Sequence, residues 1–149
     1  MKPKKIKYFS AEEIKKILSQ ELKDSNYKRY LLCLTLAYTG ASISEILEMK
    51  RKDIIEKENN EDRKFYLKII TLKRREKSFR YLPLHNKLKK ELFYFIDENS
   101  LEAQDKIFDI TRRSAYTWVK EACIFAGIDD DRIHPHTFRH SFGVAAMKK

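Results

Sequence analysis

Residues 65–83 read Phe65-Tyr66-Leu67-Lys68-Ile69-Ile70-Thr71-Leu72-Lys73-Arg74-Arg75-Glu76-Lys77-Ser78-Phe79-Arg80-Tyr81-Leu82-Pro83. Phe65, Leu67 and Ile69 recur at every second position, and beyond the charged break Phe79 and Tyr81 do the same. That alternation is the period of a strand, not of a helix. Ile54 and Ile55 mark a further strand upstream, with a turn over 59–62, and the second turn falls over 74–77. Pro83 ends the last strand because it has no N–H to give a ladder. The stretch therefore predicts three short antiparallel strands joined by two turns.

Outward from the sheet the spacing is helical. Ser10 and Glu13 form a capping-box pattern ahead of Ile14, Ile17, Leu18 and Leu22, which predicts a helix over 11–22. A second helix begins after Asn26, is apolar on most sides through Tyr30, Leu31, Leu34, Leu36 and Ala37, and stops at Gly40. A third, short helix over 43–49 is headed by Ser42, with Glu45 again in the capping position. Past the sheet, Leu88, Leu92, Phe93 and Ile96 predict a helix over 86–97. Thr111 is a good N-cap for another that runs to Gly127, and Pro135 opens a last one. The predicted class is mainly α (α+β), with a small three-stranded antiparallel sheet in one domain of 149 residues.

Composition narrows the function classes. The chain carries 32 Lys and Arg against 22 Asp and Glu, a net charge of +10, and only three Gly and three Pro. This describes a basic globular domain, not a disordered tail. No apolar run approaches the roughly 18 residues of a membrane span, and no signal peptide is visible, so a soluble, cytoplasmic protein is expected. Cys33 and Cys123 sit inside apolar helical patterns without metal or redox spacing and read as reduced core residues. The charge is polarised: residues 63–90 hold eleven basic residues and one acid, whereas residues 97–109 hold five acids and one Lys. Such a basic segment suits a phosphate-binding face, although a Lys-rich sheet edge guarded against aggregation has the same composition.

The densest polar cluster is Arg132, His134, His136, Arg139 and His140. His136 and His140 have i, i+4 spacing, but no carboxylate or Cys accompanies them as in a zinc helix, so no metal site is assigned. Two readings stay open for the cluster by itself. One is structural, with histidines capping a helix and pairing with nearby acids. The other is an anion site, in which a guanidinium clamps a phosphate and an imidazole moves a proton.

Three segments taken together, Thr39-Gly40-Ala41-Ser42-Ile43-Ser44-Glu45-Ile46-Leu47, the basic hairpin ending in Leu82-Pro83-Leu84, and His134-Pro135-His136-Thr137-Phe138-Arg139-His140-Ser141-Phe142, resemble the catalytic domain of the tyrosine recombinases, also called the phage integrase family. The resemblance runs from about Lys5 onward. It implies the helical catalytic-domain fold of that family and, as partner, double-stranded DNA, with no cofactor, no membrane and no small-molecule substrate. In the family two arginines clamp a DNA phosphate, a tyrosine attacks it to give a 3′-phosphotyrosine, and a hairpin lysine protonates the leaving 5′-oxygen.

Carried over residue by residue, the resemblance makes Arg139 the second arginine and His136 the histidine that assists proton transfer. Lys73 is the expected hairpin lysine, with Lys77 the next candidate, and Glu45 the acid that supports the site. Arg74, Arg75, Lys77, Arg80, His134 and His140 are the expected DNA contacts. Two departures stand out. The family's first arginine falls on Ser42, which is neutral and too short to clamp a phosphate. The nucleophilic tyrosine lies beyond the H-x-x-R segment in the family, but only ten residues follow Arg139 and none is a tyrosine.

With the family's N-terminal DNA-clamping domain also missing, the expectation is a partial catalytic domain that does not cleave DNA as it stands. Two further functions are consistent with the sequence. One is a non-catalytic DNA-binding module. The other is an interaction fragment whose last helix, 142–147, offers an apolar surface to a homo-oligomer or recombinase partner.

Overall fold

The computed structural model of the chain describes residues 9–59, 62–73 and 76–128. Helix α1 (Ala11–Ile17) opens with the expected capping box, Ser10 and Glu13 bonding each other's backbone N–H. It stops earlier than the apolar spacing predicts. Ser19 takes the N-cap of a new helix, α2 (Gln20–Ser25), and its hydroxyl accepts the Leu22 N–H at 3.1 Å. A serine that bonds the backbone ahead of it competes with continuation of the preceding helix, so the predicted single helix is two short ones.

Helix α3 (Tyr27–Thr39) matches its sequence signals at both ends. The Asn26 side chain accepts the Arg29 N–H, and Gly40 closes the helix at φ 66°, where a residue without a Cβ is favoured. The helix is buried from Tyr30 to Ala37. Its buried threonines are satisfied locally, Thr35 and Thr39 donating to the carbonyls of Leu31 and Thr35 at 2.7 and 2.6 Å.

Two compact units divide the chain. The first comprises Met1–Gly40 and Ala115–Lys149, the second Ala41–Ser114. In the first, α1, α2 and α3 join the greater part of α6 (Arg112–Phe125), an ion pair links Arg29 to Glu121, and Cys33 and Cys123 are both fully buried. Thr111 caps α6 as expected, its hydroxyl accepting the Ser114 N–H. Gly127 follows the helix with φ 82°.

The second unit holds α4 (Ile43–Leu47), a 3-10 turn (Arg51–Asp53), β1 (Ile54–Asn59), β2 (Asp62–Lys73), β3 (Glu76–Pro83) and α5 (Asn86–Glu98). The sheet is antiparallel in the order β1-β2-β3, as the alternation predicts. Its strands are longer than expected: the β2–β3 ladder continues to Lys73 opposite Glu76, which puts Lys77 inside β3 opposite Leu72 and not in the turn. One face of the sheet buries Ile54, Leu67 and Ile69. Phe65 on that side meets Phe93 of α5 edge-on, with ring centroids 5.3 Å apart. Backbone bonds from Arg51, Lys52 and Ile107 tie the 3-10 turn and Met49 to the segment after α5. Among the described residues, no helix is long and apolar enough to cross a membrane.

Candidate functional site

The site grows from the five-residue helix α4, which is too short to hold itself by propagation and depends on its caps. Ser42 and Glu45 supply them reciprocally. The Ser42 hydroxyl accepts the Glu45 N–H at 3.2 Å, and Glu45 Oε1 accepts the Ser42 N–H at 2.9 Å. The capping pattern expected of Ser42 and Glu45 is thus realised as a complete capping box.

Glu45 does more than cap. Its carboxylate also receives Thr71 Oγ1 of β2 at 2.7 Å and Arg80 Nη1 of β3 at 2.8 Å, with Arg80 Nη2 at 3.3 Å from the other oxygen. Arg80 Nη1 lies 2.8 Å from the Thr71 hydroxyl, closing the network. The sheet register explains why these two side chains converge: Ile69 faces Arg80 and Thr71 faces Ser78, so Thr71 and Arg80 project from the buried side of the sheet. The Glu45 side chain is 8% exposed and that of Arg80 37%.

This environment sets the charge of the carboxylate. Burial pushes the Glu45 carboxyl up, but the hydrogen bonds from Arg80, the Ser42 N–H and Thr71, together with the Arg80 charge, outweigh it and hold the group at about 2. Glu45 is therefore a fixed anion that orients its neighbours and not a proton donor near neutral pH.

The expected site residues divide clearly. Ser42 and Glu45 are brought together, with Arg80 drawn to Glu45. Lys73 occupies the last position of β2 and Lys77 the second of β3. Arg74 and Arg75 lie outside the described residues, as do His134, His136, Arg139 and His140. Thr71 was not among the expected residues. Its signal was a polar side chain in phase with Leu67 and Ile69, on the side of the strand that faces the core. Among the described residues there is no group of three or more His, Cys, Asp or Glu placed to hold a metal ion.

The comparisons with known proteins agree with this architecture. A tyrosine recombinase of Pseudothermotoga lettingae is 28% identical over 141 residues, covering 92% of this chain and 46% of that protein. The crystal structure of XerH site-specific recombinase bound to its difH substrate superposes with a TM-score of 0.72 at 22% identity, over 96% of this chain and 43% of that one. The XerA recombinase gives 0.73 at 20% identity, over 99% and 52%. The chain thus spans about half the length of the relatives it matches. The family model described as "Phage integrase family" matches residues 7–149, nearly the whole chain, and the chain belongs to the phage integrase family of tyrosine recombinases.

Proposed function

We propose that this chain is the DNA-phosphate-engaging part of the catalytic domain of a site-specific tyrosine recombinase. The observation that carries the reading is the Glu45 network, which fastens the helix after Gly40 to the two strands of the basic hairpin. The helix headed by Ser42 and the two strands of the basic hairpin are held in one arrangement by that buried carboxylate. The XerH site-specific recombinase, whose crystal structure holds the difH substrate, supports DNA as the partner.

In this reading Arg139 pairs with the two non-bridging oxygens of a phosphate, and His136 assists proton transfer beside it. A tyrosine hydroxyl attacks the phosphorus and passes its proton to the His136 imidazole as the P–O bond forms. The bond to the 5′-oxygen breaks, and Lys73 gives that oxygen a proton. All eight tyrosines precede Arg139, the last being Tyr116, so the attacking tyrosine is not among these 149 residues. These residues by themselves bind DNA and do not cut it. Ser42 removes one guanidinium from the clamp, and the loss of one such preorganised donor lowers the rate about a hundred- to a thousandfold.

Ser42 also favours a second reading, a DNA-binding module without catalysis. The shared claim of both is duplex binding through phosphates. It is tested by replacing Arg74, Arg75 and Lys77 with Gln and following a fluorescent duplex by anisotropy across a salt series. Weaker binding on every sequence and a flatter salt slope support the reading. An unchanged slope removes the hairpin from it.

A further inference from the structure

The side of the sheet turned away from the core has a chemistry that neither packing nor the Glu45 network uses. The register places Lys68 opposite Tyr81, Tyr66 opposite Pro83 and Lys57 opposite Lys64, all on this side. Phe79 is 58% exposed and Tyr81 41%, although large apolar rings in mid-strand are the residues a core would be expected to take. Each ring has an ammonium group over it. Lys68 Nζ is 4.7 Å from the Phe79 centroid, and Lys57 Nζ is 4.9 Å from that of Tyr81 and 5.6 Å from that of Tyr66. Phe79 and Tyr81 stand edge to face, 5.6 Å apart. Among the described side chains, this face carries three ammonium groups and no carboxylate.

We infer that this face binds single-stranded nucleic acid, its rings stacking on unpaired bases and Lys57, Lys64 and Lys68 meeting the phosphates. A nucleotide strand alternates flat bases with anions, and this surface alternates flat rings with cations. An ammonium held over an exposed ring by a weak cation-π contact moves to a phosphate at little cost and frees the ring for a base. A paired duplex keeps its base faces stacked inside, so it offers the lysines phosphates but leaves the rings without a partner. An acidic peptide likewise satisfies the lysines and makes no use of the rings as flat platforms. The inference goes beyond the proposed duplex binding and does not rest on it.

The test is anisotropy of short fluorescent oligo-dT and oligo-U strands, with a fluorescent duplex measured in parallel and polyglutamate as competitor. The two strands tell a DNA partner from an RNA one. The double variant Phe79→Ser/Tyr81→Ser is expected to lower single-strand affinity about tenfold or more, with duplex affinity within about twofold and the melting temperature held. The double variant Lys57→Gln/Lys68→Gln keeps the rings, and is expected to flatten the single-strand salt slope by about 1.4, at about 0.7 per phosphate contact. It decides the matter if the ring variant fails to fold. The inference is overturned if single-strand and duplex affinities fall in parallel, if neither changes, or if polyglutamate displaces oligo-dT as well as unlabelled oligo-dT does. Failure of the wild-type chain to bind duplex bears on the proposed function alone.

Discussion

The Glu45 carboxylate and the Arg80 guanidinium meet at 2.8 Å across 35 positions of sequence, joining the start of α4 to the third strand of the sheet. One oxygen of the same carboxylate closes the capping box on Ser42, and the other takes Thr71. A single anion thus serves a helix terminus and two strands, so its loss reaches all three.

Stability should follow the titration of this group. The carboxyl of Glu45 lies at about 2, below its ordinary value of 4.5, so the folded state holds it ionised where the unfolded chain has begun to bind a proton. A depressed carboxyl contributes stability that is fully present above about 4.5 and is lost as the pH falls through about 2. Glu45→Gln is expected to cost about 1–3 kcal/mol at pH 6, because Arg80 and Thr71 keep only a neutral acceptor. The same variant is expected to show a smaller loss between pH 4.5 and 2.5 than the wild type. Urea midpoints at the three pH values check it, and parallel losses in both proteins contradict it.

Ser42 separates capping from charge. Ser42→Ala is expected to cost about 1 kcal/mol through the lost N-cap, measured as a lower urea midpoint with an unchanged slope. Ser42→Arg loses the same cap but restores a guanidinium at the family's first arginine position. Its stability is expected to match that of Ser42→Ala while its duplex affinity rises and the salt slope steepens by about one. Equal affinity for the two variants would place position 42 away from the phosphate.

The two cysteines give a test of the first unit. Burial pushes the Cys33 thiol up, with Cys123 adding in the same direction, and both side chains are fully shielded. Thiolate chemistry is suppressed in such a place. A thiol reagent at pH 8 is expected to leave both unmodified in the native protein and to titrate two on addition of urea. Rapid native modification of either one contradicts the packing.

Much of this was legible in the sequence, and the exceptions have physical causes. The alternation from Phe65 to Leu82 identified the sheet, Asn26 and Gly40 bounded α3, and Ser42 with Glu45 announced α4, because each signal is local and involves residues a few positions apart. The division of the first helix was not anticipated, since apolar spacing continued through Leu22 while the Ser19 hydroxyl offered the backbone a stronger local alternative. Arg80 read as one more cation of a basic hairpin. Its partner is chosen by which side of the sheet it occupies and by what α4 brings against that side, and charge counting along the chain carries neither fact. Thr71 was missed for the same reason, although its phase with Leu67 and Ile69 marked a polar group on the buried side. The H-x-x-R segment lies outside the described residues, and its part in the site rests on the family it shares.

In the proposed function Arg139 is the residue that holds a DNA phosphate. The most direct measurement of this is anisotropy of a fluorescent duplex across a salt series for the wild-type chain and Arg139→Ala. Salt-sensitive binding is expected of the wild type, weakened in Arg139→Ala with the slope reduced by about one. Binding that is identical in the two proteins, or absent at low salt from the wild type, contradicts it.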